Sequence, residues 1–292
     1  MYDIKSYVEA SSIKEAIEIL KNNENAQIIA GGTDVLIKTR EGKSDYTQRD
    51  LIGSTRIKEL TEVYVEDDGT LVIGASSSFT KVEENPFIKE NIPSLSIAVG
   101  SVGGPQVRNV GTIGGNICNG ATSGDSASTL LALEAILEIE GIENRREIHI
   151  SEFYLGPGKV ALNHGDILVK IKIRKENYEG YKGHYIKFSP RKAMDIATLG
   201  CSILIKEKDG LIKDLKIAYG VAGPTPLRAI DAENYAKNKE LSEETLENIG
   251  KECLKASKAR DSWRASKAFR EQLMEELPKR AIKMALGGKL WC

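Results

Sequence analysis

The chain has 292 residues and sets 41 Lys and Arg against 42 Asp and Glu, a formal net charge of -1 with its 3 His neutral. No long run of one sign appears, which argues against a nucleic-acid binder or a polybasic membrane anchor. A mean hydropathy of -0.28 and the lack of any apolar stretch of about 18 residues exclude a transmembrane helix. The length predicts two domains, with enough apolar surface to fold without staples. The opening residues Met1-Tyr2-Asp3-Ile4-Lys5 lack the basic segment and apolar core of a secretion signal. Cys118, Cys201, Cys253 and Cys292 lie far apart with no C-x-x-C pair. That pattern is expected of reduced thiols in the cytoplasm rather than of disulfides or a cysteine metal cage.

In chain order, Ser12-Ile13-Lys14-Glu15 is a capping-box pattern, and Ile13, Ala16, Ile17 and Leu20 share one helical face, predicting a helix over 12–22. Gln27-Ile28-Ile29-Ala30 reads as a short strand running into Gly31-Gly32. Residues 63–75 read as a hairpin around Asp67-Asp68-Gly69. A helix is expected over 94–102, another over 126–135, and strands over 136–140 and 167–174. The last third changes character. Strands are expected at 185–188, 197–206 and 211–219, then helices at about 226–237, 242–257 and 263–286, with Pro278 breaking or kinking the last. Strands followed by a helical block predict a separate α+β unit, with the boundary in the polar stretch 175–182.

The common catalytic templates fail. The only G-x-G-x-x-[GA] match, at 156–161, has Pro157 in its tight turn and no clear strand–helix flanks. A P-loop ending at Gly42-Lys43-Ser44 would need glycine where Ile37 stands. His149, His164 and His184 have no partner at metal-ligand spacing, and no nucleophile elbow is present. Two glycine-rich segments remain: Ala30-Gly31-Gly32-Thr33-Asp34, directly after a strand, and 111–125, which opens Gly111-Thr112-Ile113-Gly114-Gly115-Asn116. A glycine pair lets backbone amides approach a bulky anion, and successive amides form an anion-binding nest. Thr33, Thr112 and Asn116 add side-chain donors, while neither segment contains Lys or Arg. The alternative is that each is a tight turn in which only glycine fits. Two such segments about 80 residues apart suit a long ligand held from two sides through its diphosphate, such as a dinucleotide.

These segments resemble the FAD-binding subunits of molybdenum hydroxylases, the xanthine dehydrogenase and carbon monoxide dehydrogenase family, within the wider vanillyl-alcohol-oxidase-like flavoproteins. The likeness continues through 103–110 (GGPQVRNV), 156–159 (GPGK), 194–198 (MDIAT), 221–226 (VAGPTP) and 262–267 (SWRASK), so it spans essentially the whole chain. It is greatest to the flavin subunits of bacterial xanthine dehydrogenases. The fold this implies is α+β: a two-part PCMH-type FAD-binding domain over 1–176, with subdomains of about 1–55 and 56–176, then a C-terminal flavoprotein domain over 177–292 built on a three-stranded sheet and helices.

The resemblance also assigns residues. Gln27, Ile28, Ile29, Ala30, Gly31, Gly32, Thr33 and Asp34 would wrap the FAD diphosphate. Thr112, Ile113, Gly114, Gly115 and Asn116 would form the second wall. Asn119 and Asp125 would lie near the flavin end, Ile167 or Leu168 would pack on the ring edge, and Lys187 would contact the flavin, against the alternative of a solvated strand lysine. Val102 stands where animal relatives place an aromatic ring over the flavin. No side chain is expected to act as catalytic acid or base, and no metal is expected on this chain.

The implied activity is that of an oxidoreductase subunit: electrons arrive from [2Fe-2S] clusters on a small partner subunit, substrate is oxidised at a molybdopterin-binding large subunit, and NAD+ is the acceptor. Such a protein is a cytoplasmic heterotrimer component, its FAD non-covalent and purine its substrate class. Alternatives are a nicotinate, aldehyde or carbon monoxide dehydrogenase flavin subunit, a self-contained flavin oxidase, or an assembly protein with a vestigial nucleotide site. Trp263, Arg264, Lys267 and Arg270 at helical spacing make either a docking face for a partner or a solvated face with one packed Trp, and Leu290-Trp291-Cys292 an apolar tail.

Overall fold

The computed structural model describes residues 2–288; the apolar tail at 290–292 lies outside them. Three large sheets organise the chain, besides a two-stranded one of Tyr154–Gly156 and Lys159–Val160. The first is parallel, with strand Arg49–Gly53 between Ile4–Glu9 and Ala26–Ile29. The predicted helix forms at Ile13–Asn22, where Ser12 Oγ accepts from the Glu15 amide at 3.1 Å. The reciprocal half of the capping box is shifted by one residue, because the Glu15 carboxylate accepts from the Ser11 amide at 2.8 Å instead.

The second sheet is antiparallel, in the order Val63–Val65, Leu71–Gly74, Ile167–Ile173, Ile136–Glu140, Arg145–His149. The hairpin, the central strand and the strand at 136–140 stand where the residue pattern places them. Helices Phe79–Glu84, Pro86–Asn91, Pro93–Gly100 and Asp125–Ala132 cover one face, and a core of Leu71, Ile73, Leu95, Ile113, Leu137 and Ile171 fills the space between. Helix Asp125–Ala132 is buried along its whole length, since it is packed both against this sheet's core and against the third sheet.

That third sheet is antiparallel and carries Lys182–Phe188, Leu199–Lys208 and Leu211–Gly220, the three strands expected, plus a short fourth, Leu227–Arg228. Strand Leu199–Lys208 is buried without alternation from Leu199 to Ile205, because both faces are covered. One face meets the helices of the second unit; the other packs under Ile230–Ala236, Glu243–Cys253 and Lys267–Ala285.

The C-terminal helices depart from expectation at their starts, and the one expected from 226 begins at Ile230, behind the short strand Leu227–Arg228. The last helix begins at Lys267, not 263, with Ser266 Oγ capping the Phe269 amide at 3.2 Å. Trp263 and Arg264 therefore lie on a loop and share no helical face with Arg270, which is 3% exposed. Pro278 neither breaks nor ends the helix. A proline strips the carbonyl four residues earlier of its donor, and here that is Met274, whose oxygen instead accepts from the buried Tyr219 hydroxyl at 2.6 Å. The third sheet supplies the bond that the helix lacks.

Tyr219→Phe should leave the Met274 carbonyl unsatisfied and cost about 1–3 kcal/mol in urea unfolding. Adding Pro278→Ala, which restores an amide donor, should recover much of that loss. A Tyr219→Phe variant as stable as the parent would contradict this account.

Candidate functional site

A cavity of about 850 Å³ opens where all three sheet units meet. Its first wall is the bend that follows strand Ala26–Ile29. A Cβ on Gly31 would drive into the Val110 carbonyl and lie 2.8 Å from Gly111 Cα, so this bend rests directly on the second glycine segment. Gly32 sits at φ +69°, in the left-handed region that a side chain disfavours. With the backbone held this way, the amides of Gly31, Gly32, Thr33 and Asp34 donate to no backbone oxygen of the described residues. Such a run of open N–H groups is available to an anion.

The second glycine segment differs from expectation. It is the N-terminal turn of helix Ile113–Cys118, and its amides are already engaged. Ile113 donates to Ser77, Gly114 to Ala75, Gly115 to Thr112 Oγ1 and Asn116 to the Thr112 carbonyl. This wall is therefore no nest. A Cβ on Gly114 would strike the Ala75 carbonyl, which by itself requires glycine there. Gly115 is the exposed member and borders the cavity. Asn116 Oδ1 accepts from the Ser126 hydroxyl at 2.7 Å, which leaves its NH2 to donate elsewhere. Further along, the amides of Ala121 and Ser123, both on the cavity wall, also donate to no backbone oxygen of the described residues.

Of the residues expected at the site, Gln27, Ile28, Ala30, Gly31, Gly32, Thr33, Asp34, Val102, Thr112, Gly114, Gly115, Asn116, Asn119, Asp125, Ile167, Leu168 and Lys187 border this cavity. Ile29 and Ile113 do not. Ile29 is the inward residue of its strand, and Ile113 is fully buried in the core under the second sheet. A cation that the sequence reading passed over joins the wall: Lys38, one helical turn beyond Asp34, bonds Asp34 and Asn119 Oδ1, both at 2.5 Å, and the Tyr46 hydroxyl at 3.1 Å. The signal lay in the i,i+4 spacing of Asp34 and Lys38. It was missed because the helix Val35–Arg40 was not expected.

The far end of the cavity is electrostatically built. Asp125, 6% exposed at the start of its helix, accepts from Lys187 Nζ and from the Tyr185 hydroxyl, each at 2.8 Å. Lys187 also reaches the Ser101 carbonyl at 3.0 Å, so it is no solvated strand lysine. Burial holds the Asp125 carboxyl above its ordinary range, while Lys187 and Tyr185 pull it back. Burial, with Asp125 beside it, pushes the Tyr185 phenol well up, so it stays a donor. Cys118 borders the cavity too, and burial pushes its thiol up to about 12, which disfavours the thiolate.

Residues 2–175 match the family described as FAD binding domain in molybdopterin dehydrogenase, and 184–285 match the CO dehydrogenase flavoprotein C-terminal domain. The chain is 41% identical to the xanthine dehydrogenase FAD-binding subunit of Escherichia coli O157:H7 over 293 residues, covering 99% of this chain and 100% of that one. It is 30% identical to the glyceraldehyde dehydrogenase medium chain of Sulfolobus acidocaldarius, across 95% and 97% of the two chains. A carbon monoxide dehydrogenase structure from Hydrogenophaga pseudoflava superimposes with a TM-score of 0.91 at 26% identity, covering 98% and 99%.

Lys187→Met should cost about 3–5 kcal/mol, because it leaves a buried carboxylate without its counter-charge. The sign of the pH dependence follows from the raised Asp125 group. The folded state then holds a proton that the unfolded state releases near pH 4, so stability falls as pH rises through the folded value. The loss measured by urea unfolding should be larger at pH 8 than at pH 5, and Asp125→Asn in the same background should remove the difference. Equal losses at both pH values would contradict the pairing.

Proposed function

The chain belongs to the FAD-binding medium subunits of the molybdopterin hydroxylases, and from that premise we propose that it is the electron-relay subunit of a xanthine dehydrogenase, serving NAD+ as acceptor. The observation that carries the choice of xanthine is the 41% identity to a xanthine dehydrogenase subunit along its whole length. On this reading the FAD-binding part spans 1–176 and the C-terminal part begins at 177.

The residues present fit FAD. Gln27 Oε1 is buried without a partner on the cavity side, so it needs a donor, which a ribose hydroxyl or an adenine amino group supplies. The open amides of 31–34 suit a diphosphate, with Lys38 adding positive charge beside them. In this reading Gln27, Ile28, Ala30 and residues 31–34 hold the diphosphate half, while Ile29 serves only through its backbone. Thr112, Gly114, Gly115, Asn116 and Asn119 line the middle, and Ile113 supports them from the core.

Val102, Ile167 and Leu168 give apolar walls for the flavin ring, and Asp125 with Lys187 sets the charge at its polar edge. FAD, when bound, supplies the redox chemistry and accepts electrons singly or in pairs. This chain's residues bind and orient it and hold a positive charge, at Lys187 Nζ, where electron density would gather. None of them needs to act as acid or base.

The four cysteines have no cluster spacing. In this reading substrate oxidation belongs to a molybdopterin-binding large subunit, and electrons come through a small [2Fe-2S] subunit. No helix among the described residues is long and apolar enough to cross a membrane, and a cytoplasmic complex is proposed.

The test is the native complex isolated through this chain. It should contain molybdenum, iron and FAD and reduce NAD+ with xanthine. Turnover of an aldehyde, nicotinate or carbon monoxide without xanthine activity would reassign the substrate. Acid precipitation should release the FAD into the supernatant, and flavin retained in the pellet would contradict a non-covalent site. Gly32→Val should abolish FAD retention. The route is backbone strain at φ +69° and crowding of Leu36 and Ile29, since a Cβ there points at those side chains rather than into the cavity.

A further inference from the structure

A second cleft, of about 530 Å³, lies beside the FAD cavity and shares Ser123 and Ile196 with it. One side is the non-helical loop before the last helix, which brings Lys258, Arg260 and Arg264 to the cleft together with Trp263, while Arg270 reaches it from the first turn of that helix. Pro157, Val221 and Gly223-Pro224 complete the lining, and the Lys258 amide donates to the Ala222 carbonyl at 3.0 Å, which ties the loop to this segment. None of the four cations has a carboxylate within ion-pair distance among the described residues, and unlike the scattered lysines of the outer surface they converge on one cleft. In a chain of net charge -1 this is a local excess of positive charge facing a concave surface.

The loop is braced rather than loose. Buried Arg270 donates to the carbonyls of Thr198 (3.3 Å), Arg260 and Ala265 (2.9 Å) and to Ser262 Oγ (2.8 Å), which pins the loop from 260 to 265 onto the third sheet. Arg260 and Arg264 are carried on the pinned backbone. Trp263 is 85% exposed, with the Arg264 guanidinium 4.0 Å from its ring centroid. One face of the indole lies under the Arg264 guanidinium and the other is open to stack on a planar group, and guanidinium groups bind phosphate through short charge-assisted hydrogen bonds.

We propose that this cleft binds the adenosine diphosphate portion of the dinucleotide acceptor, its phosphates on Arg260, Arg264 and Lys258 and its base against Trp263. Because Ser123 and Ile196 border both the cleft and the FAD cavity, the rest of the dinucleotide would extend toward that common border. This rests on the reading of NAD+ as acceptor, and it assigns to the C-terminal domain the part of acceptor recognition that does not touch the flavin. A cleft that holds the non-reacting part of a substrate by charge lowers KM and leaves the electron-transfer step alone.

The experiment uses the full chain saturated with FAD, so that the FAD cavity is closed to competing nucleotides. ADP-ribose, which lacks nicotinamide, is titrated by equilibrium dialysis at low and high salt, and NADH-driven dye reduction is measured in parallel. ADP-ribose should bind, weaken with salt and compete with NADH. Arg260→Gln with Arg264→Gln should raise its Kd and the NADH KM at least about 10-fold, with kcat little changed and FAD content intact. Arg280→Gln, on the exposed face of the last helix, should change neither. Failure of ADP-ribose to bind the parent protein, or unchanged Kd and KM in the double variant, would overturn the proposal while leaving the acceptor reading in place if NADH still reduces dye. Binding of ADP-ribose that depends on Arg260 and Arg264, without any NADH oxidation, would support a nucleotide site here and remove NAD+ as the acceptor.

Discussion

Backbone N–H groups without a partner carbonyl are costly in a folded protein once water is excluded from them, and this structure holds a run at 31–34 that donates to no carbonyl of the described residues. The arrangement depends on one close approach. Gly31 lies against Val110 and Gly111 with no room for a side chain, and that contact fixes the bend at the mouth of the parallel sheet. The second glycine segment spends its own amides on Ser77, Ala75 and Thr112 to become the rigid surface on which the first one rests. Similar residues thus divide into two roles, one offering donors and one supplying support.

The other organising interaction joins the domains. Asp125 belongs to a helix of the first part and Lys187 and Tyr185 to a strand of the second, and their pairing closes the far end of the cavity. Burying a carboxylate there is unfavourable by itself and becomes tolerable only because both partners are delivered by the neighbouring sheet. Helix Asp125–Ala132, covered on every side, carries that carboxylate and also forms much of the contact between the two units. Geometry at the cavity floor and cohesion between the parts therefore rest on the same residues.

Much of this was legible in the residue pattern. Alternation and β-branching located the hairpin at 63–75 and the long C-terminal strands, and Ser12 located the first helix start. Glycine pairs marked both walls of the cavity, and the resemblance placed Asp125 and Lys187 at one end of it. What escaped were features set by partners distant in sequence. Nothing local says that Tyr219 will serve the carbonyl freed by Pro278, so the helix looked breakable. The short helices Phe79–Glu84, Pro86–Asn91 and Pro105–Val110 have too few residues for a periodic signal and owe their form to packing. Trp263 and Arg264 fit a helical spacing yet lie on a loop, because Ser266 caps the helix three residues later and Arg270 ties the loop down.

The central claim is that the amides at 31–34, rather than those at 113–116, are the ones that a bound FAD satisfies. Hydrogen–deuterium exchange on the full chain with and without FAD separates these segments directly. The account predicts strong new protection of 31–34 on FAD addition and little change at 113–116, whose amides are bonded in either state. New protection at 113–116 with none at 31–34 would contradict it.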